Sequence, residues 1–155
     1  MRFYIVDAFA EQIFGGNPAG VVILPAGGEY PSDEVMRKTA AELRYSETAF
    51  ILPKGENRFQ LRYFTPTEEV DLCGHATIGS FCALQQEGLV SVSKSYLAET
   101  LAVALEISVE GGFVMMDMAT PKSLGVIQEE EALKELYGVM GIPESAGKVS
   151  LEGEW

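Results

Sequence analysis

The chain has little of what several classes of protein require. Its 155 residues include only two cysteines and one histidine, and 11 basic residues stand against 23 acidic ones. The formal net charge of −12 repels phosphate backbones and anionic lipid, which argues against nucleic acid or a membrane as partner. No uncharged apolar stretch reaches the roughly 18 residues that a membrane-spanning helix needs.

The two cysteines do not predict a disulfide. Cys73 and Cys82 are nine residues apart. On one helix this spacing corresponds to about 13 Å along the axis, with the side chains on opposite sides, which is beyond disulfide reach. Free thiols and a reducing compartment are therefore predicted. Because Asp7 interrupts the first apolar residues too early for a secretory signal, we expect a cytoplasmic protein.

Changes in hydrophobic spacing predict an α+β fold. Aliphatic and aromatic runs bounded by turn residues are typical of strands. Strands are predicted at residues 3–9, 19–24, 47–52, 59–64, 101–109 and 113–118. The two central ones flank a polar turn, which predicts a hairpin. Residues 121–125 indicate a connector, a domain boundary is expected within residues 119–128, and residues 144–155 show no clear periodicity.

Three segments have helical spacing, and one of them is apolar on every side. Residues 31–43 carry apolar side chains on one face, with Ser32 as the expected N-cap, and residues 129–140 repeat this pattern. Residues 76–84 hold no charge and several small side chains, so this helix must be surrounded rather than laid on a surface. We expect a central helix wrapped by a strongly curved sheet.

The segment from Asp71 to His75 carries the strongest chemical signal. A carboxylate, a thiol and the only histidine lie within five residues, just before the uncharged helix. A glycine at the start of a helix leaves backbone N–H groups pointing outward, where a carboxylate or phosphate can bind. Titratable side chains beside such a site predict proton transfer on a small acid. The alternative is a structural histidine near a helix start.

Two other segments are candidates with structural alternatives. The glycines of residues 15–20 allow close approach to a ligand or simply form a tight turn. Glu47 is a carboxylate at the entrance of an apolar strand, and it is either a functional group or a solvated strand-end residue. The i,i+2 alternation of Asp71, Cys73 and His75 is not the spacing of a structural zinc site. The glycines also lack a dinucleotide-binding spacing. Neither a metal nor an organic cofactor is predicted.

Taken in order, these segments resemble the phenazine-biosynthesis-like (PhzF-type) isomerase family. The resemblance rests on residues 16–22 (GNPAGVV), 45–50 (YSETAF), 64–66 (FTP) and 69–77 (EVDLCGHAT). That family is similar in fold to diaminopimelate epimerase, with two related halves, each a mostly antiparallel, barrel-like sheet around a central helix. The resemblance implies one such half at residues 1–120, and a connector and the start of an incomplete second domain at residues 121–155.

The resemblance also implies roles for particular side chains. Glu47 matches the acid/base that moves a proton on the substrate, and Gly74 and His75 match residues that hold its carboxylate. Asn17 and Ser46 match positions that line the same pocket.

Asp71 and Cys73 are further candidates. Cys73 falls near the region where epimerase relatives carry a catalytic cysteine. A thiol-based racemase is therefore a further alternative.

The activity implied is that of a cofactor-independent isomerase or epimerase, acting on a small carboxylate-bearing metabolite by general acid/base catalysis. Family members are nearly twice as long as this chain, with the active site between their halves. A homodimer or pairing with a second half is therefore expected. The alternative from another class is a non-catalytic lone barrel, which binds a ligand or pairs with another chain through its exposed half-site surface.

Overall fold

The computed structural model describes residues 1–12, 14–118, 120, 122–143 and, for the backbone, 150–153. The chain divides into two compact units between Asp117 and Met118. No described helix is both long enough and apolar enough to span a bilayer.

The first unit is built on one curved sheet. Its strands are β1 (Arg2–Ala8), β2 (Asn17–Ile23), β3 (Thr48–Gly55), β4 (Arg58–Phe64), β5 (Glu69–Val70), β6 (Lys94–Glu99), β7 (Ala104–Glu110) and β8 (Phe113–Met116). The strand order is β1-β2-β3-β4-β6-β7-β8, and the short β5 also pairs with β4. The β2–β3 and β4–β6 pairs are parallel and the others are antiparallel. The sheet is therefore mostly antiparallel, as predicted.

Helix α2 (Gly74–Gln86) lies inside the curve of this sheet. It contacts β1 and β8, which stand at opposite ends of the strand order, and also β2 and β3. Phe81 and Leu84 are fully buried. A Cβ on Gly79 would lie 3.4 Å from Val6 Cβ, so the absence of a side chain there lets β1 pack close to the helix. The predicted central helix is confirmed.

Helix α1 (Asp33–Leu43) packs on the outside of the sheet. Its N-cap Ser32 accepts a hydrogen bond from the Val35 N–H at 3.4 Å. Lys38 Nζ lies 2.7 Å from Glu34 Oε1 on the exposed face, a pair one helical turn apart. The start of the helix is therefore specified by local sequence, as predicted.

The two faces of β3 bury side chains in two different cores. Ala49 and Ile51 point inward, into the core around α2. Phe50 and Leu52 point outward, into a smaller core that includes Met36 of α1. This alternation, typical of a strand buried on both faces, decides which way the residues just before β3 can point.

Part of the strand prediction for the first unit is wrong. Strand β6 was not predicted, because its two buried side chains, Tyr96 and Ala98, give only a short alternation. The strand predicted at residues 101–109 begins at Ala104, because a turn closed by a hydrogen bond from the Thr100 N–H to the Val103 C=O (3.0 Å) precedes it.

The second unit corrects another prediction. Residues 122–125, expected to be a connector, belong to strand β9 (Lys122–Val126), which pairs antiparallel with β10 (Ser150–Gly153). Every side chain of β9 is exposed, so no hydrophobic alternation marks it in the sequence. Helix α3 (Glu130–Met140) agrees with its prediction. Pro121, residues 144–149 and residues 154–155 lie outside the described residues.

Candidate active site

Three titratable side chains from two distant segments meet at the start of α2. Glu47 directly precedes β3, Cys73 is the N-cap of α2, and His75 lies in its first turn. His75 Nε2 is 3.5 Å from Glu47 Oε2, and His75 Nδ1 is 3.3 Å from Cys73 Sγ. A carboxylate oxygen of Glu47, the sulfur of Cys73 and a ring nitrogen of His75 all lie within 4.8 Å of one another. We call this group the acid–thiol–imidazole cluster.

Strand pairing brings Glu47 to the helix. The Gly20 N–H donates to the Glu47 C=O at 3.2 Å, next to the parallel β2–β3 ladder. Counting back from Ala49 and Ile51, which point inward, Glu47 belongs to the inner face that surrounds α2. The Glu47 side chain is therefore directed to the N-terminal end of the central helix.

The glycine segment at residues 15–20 supports this geometry through packing. Gly16 has φ +75°, and a Cβ there would collide with the Ala8 carbonyl oxygen. A Cβ on Gly20 would lie 2.8 Å from Thr48 Oγ1 in the neighbouring strand. The structural alternative for these two glycines therefore has direct support: they allow the tight β1–β2 connection and the close β2–β3 contact.

The first turn of α2 presents backbone donors at the same place. The N–H groups of Gly74, His75 and Ala76 precede the first intrahelical hydrogen bond, which runs from the Thr77 N–H to the Cys73 C=O at 3.0 Å. The positive end of the helix dipole adds to their attraction for an anion. This end of the helix can therefore receive a carboxylate.

The cluster is shielded but accessible. The side chains of His75 and Glu47 are 11% and 22% exposed. A Cβ on Gly74 would meet only Met116 Cε, at the ordinary distance of 3.6 Å, so packing does not require glycine there. Gly74 itself is only half-buried, so a ligand can approach its backbone while most of the Glu47 side chain stays out of water.

The environment of Cys73 favours its protonated thiol. Burial raises the pKa of Cys73 to about 11; backbone N–H groups at Ala76 and His75 oppose the rise, and the Glu47 carboxylate adds to it. A thiol of this kind is protonated near neutral pH. It can donate a hydrogen bond to His75 Nδ1, but it is a poor nucleophile or base.

The reactivity of Cys73 should follow this pKa. In a Cys82→Ser background, which leaves one thiol, we expect alkylation by iodoacetamide to rise about tenfold per pH unit, without a plateau below about pH 10. Peptide mass spectrometry after short pulses measures this rate. A plateau near neutral pH would show that the thiolate is stabilised instead.

The same pKa shift predicts how stability changes with pH. The folded state keeps the Cys73 proton between the ordinary pKa of 9.0 and about 11, whereas the unfolded state loses it. This contribution leaves the free energy of unfolding unchanged below that window and lowers it as the pH rises through it.

Two buried hydroxyl groups hold the start of α2 in place. Thr77 Oγ1 donates to the Cys73 C=O at 2.7 Å, and the Tyr63 hydroxyl donates to Thr77 Oγ1 at 2.6 Å. Burial raises the pKa of Tyr63, so its hydroxyl stays protonated and keeps this role as a donor. Neither residue was predicted to belong to the site, and the only signal in the sequence is a threonine four residues after Cys73.

The other predicted site residues differ in how close they lie to the cluster. Ser46 Oγ lies 3.4 Å from His75 Nε2 and joins the cluster. Asn17 is exposed at the start of β2, at the end of the β2–β3 pair from which Glu47 projects. Asp71 is exposed, and its described contact is a backbone one, from the Ala102 N–H to the Asp71 C=O at 3.3 Å. Asp71 therefore lies outside the cluster.

The sequence pattern of the family described as phenazine biosynthesis-like protein, PhzC-PhzF, matches residues 6–139. The chain belongs to this family. The chain is 39% identical to an uncharacterized isomerase from Halalkalibacterium halodurans, over 82% of this chain and 47% of the relative.

Solved structures of the PhzF family share the fold. A PhzF-family phenazine biosynthesis protein from Bacillus anthracis is 31% identical, over 92% of this chain and 48% of that protein, with a TM-score of 0.73. A Pseudomonas aeruginosa protein named as a predicted epimerase is 21% identical, over 97% of this chain and 55% of that protein, and shares the fold with a TM-score of 0.74. The epimerase-like fold expected from the sequence is confirmed. The chain spans about half the length of the curated relatives it matches.

Proposed function

We propose that this chain supplies one half of a cofactor-independent isomerase, which moves a proton on a small carboxylate-bearing metabolite. The observation that carries the proposal is the 3.5 Å approach of Glu47 Oε2 to His75 Nε2 beside the open start of α2. A carboxylate, an imidazole and an anion site in one half-buried place are what general acid/base chemistry on a small acid requires. The name of the H. halodurans relative, an isomerase, also supports it.

Each group has a distinct role in the proposed reaction. The substrate carboxylate binds the backbone N–H groups of Gly74 and His75. Glu47 takes the proton from a nearby carbon and returns it to another position or face. As the C–H bond breaks, negative charge spreads toward the bound carboxylate, where the fixed N–H groups stabilise it. His75, held by Ser46 and Cys73, keeps the Glu47 carboxylate in position.

We also propose that a second half covers the cluster, either as a second copy of this chain or as another polypeptide. Glu47 is 22% exposed in this half alone, and proton abstraction from carbon is favoured when water is excluded and the substrate is held from both sides. Residues 121–155 would begin the second domain.

Exchange of substrate hydrogen with solvent tests the proposal even while the product is unidentified. The purified chain is incubated in D₂O with a panel of small carboxylic acids, and NMR detects deuterium at carbon. Light scattering on the same samples gives the oligomeric state. We expect exchange on at least one acid, in an assembled species.

The non-catalytic alternative predicts a different result. A chain that binds an acid but never exchanges its hydrogens would be a ligand-binding module. A monomer that neither binds nor exchanges any acid would contradict both functions.

A further inference from the structure

The acid–thiol–imidazole cluster also has the composition of a metal site. A thiol sulfur, an imidazole nitrogen and a carboxylate oxygen, the donors of Cys73, His75 and Glu47, lie within 4.8 Å of one another. These three donor types together suit Zn²⁺ and its tetrahedral analogues, whereas Mg²⁺ and Ca²⁺ prefer oxygen ligands. We propose that this cluster binds one Zn²⁺-like cation through three protein ligands.

Two of the three ligand atoms already have the spacing that such a cation needs. Zn–S and Zn–N bonds of about 2.3 and 2.0 Å at a tetrahedral angle place sulfur and nitrogen about 3.5 Å apart. The distance from Cys73 Sγ to His75 Nδ1 is 3.3 Å. The Glu47 carboxylate, now beside Nε2, must turn toward Nδ1, a change that its partly exposed side chain can make.

The imidazole already has a partner for its second nitrogen. A histidine that binds metal usually donates its other ring N–H to an oxygen. With the cation on Nδ1, the Nε2–H of His75 faces Ser46 Oγ at 3.4 Å. This contact holds the ring with Nδ1 facing Cys73, as the site requires.

Binding the cation changes the chemistry of the cluster. The Cys73 thiol releases its proton to solvent as sulfur bonds to the cation, and the Glu47 carboxylate becomes a ligand. A bound cation therefore blocks the proposed acid/base. This inhibition rests on the proposed function, but binding does not, because it depends only on the three donors.

Spectroscopic titration of the tag-free, reduced chain tests binding directly. Zn²⁺ is titrated calorimetrically in excess Mg²⁺, which occupies weak carboxylate sites on this acidic surface. Co²⁺ is then bound in place of Zn²⁺, and a sulfur-to-cobalt charge-transfer band reports thiolate ligation. We expect one equivalent of each, with the band lost in Cys73→Ser and kept in Cys82→Ser.

Further variants distinguish a metal ligand from a nearby residue that does not bind the cation. His75→Gln should weaken Zn²⁺ binding about 100-fold or more, because loss of even a supporting hydrogen bond costs about 10- to 100-fold. Asp71→Asn, which removes an exposed carboxylate outside the cluster, should leave the affinity unchanged. Circular dichroism and thermal melting check that each variant is folded.

Two results would overturn the metal site. One is Zn²⁺ binding no tighter than Mg²⁺ to the folded wild-type chain. The other is a Zn²⁺ affinity or cobalt band that survives Cys73→Ser. Because neither measurement involves turnover, an inactive chain that binds Zn²⁺ with these ligands would refute the proposed function and leave the metal site standing.

Discussion

Replacing Glu47 by glutamine should lower the rate of hydrogen exchange on the substrate by about 10²- to 10⁴-fold, the usual contribution of a general acid or base. Glutamine has nearly the same shape but can neither accept nor deliver the proton. The melting temperature should change little, because Glu47 is partly exposed and its 3.5 Å contact with His75 is long. Initial rates of deuterium incorporation measure the effect.

A matched carboxylate provides the control for that variant. Asp71→Asn removes the same charge from an exposed position outside the cluster and should retain the wild-type rate. Wild-type exchange by Glu47→Gln would remove Glu47 from the mechanism. If Cys73→Ser were inactive at the same time, the thiol-based alternative would take its place, in spite of the raised pKa of Cys73.

Replacing Phe81 by alanine should lower the free energy of unfolding by about 3–5 kcal/mol, as is typical for deletion of a buried aromatic ring. Phe81 is fully buried on α2. Its ring packs edge-on against Phe59 at 5.5 Å and tilted against Tyr96 at 6.1 Å, so it joins the central helix to β4 and β6. The deletion leaves a cavity that the surrounding strands can only partly fill.

Chemical denaturation of wild type and variant measures this loss. Phe14→Ala is the control, because the Phe14 side chain is 97% exposed and its loss should change the free energy by no more than about 0.5 kcal/mol. Equal, small losses in both variants would show that α2 is not the centre of the core.

The central helix could be predicted from sequence because its composition leaves no alternative. No residue from 76 to 84 is charged, so no face of that helix suits water, and its small residues suit close packing. The same logic fails for β6 and β9. Strand β6 buries only Tyr96 and Ala98, and β9 buries none of its side chains. Such strands are specified by pairing with distant segments, which local periodicity does not record.

The candidate site was predictable only in part. Cys73 and His75 are neighbours in sequence, so their meeting at a helix start follows from local pattern. Glu47 joins them through the parallel pairing of β2 with β3 and the curve of the sheet, which spacing cannot reveal. Its assignment came from the family resemblance. For the same reason the i,i+2 spacing of Asp71, Cys73 and His75 gave no sign of a three-donor metal site.

A crystal structure of Glu47→Gln with the acid on which the wild-type chain exchanges hydrogen would test the proposed mechanism most directly. We expect the acid's carboxylate on the N–H groups of Gly74 and His75, and the exchanging carbon about 3–3.5 Å from the side chain at position 47. An acid bound elsewhere on the protein, or with that carbon out of reach of position 47, would contradict it.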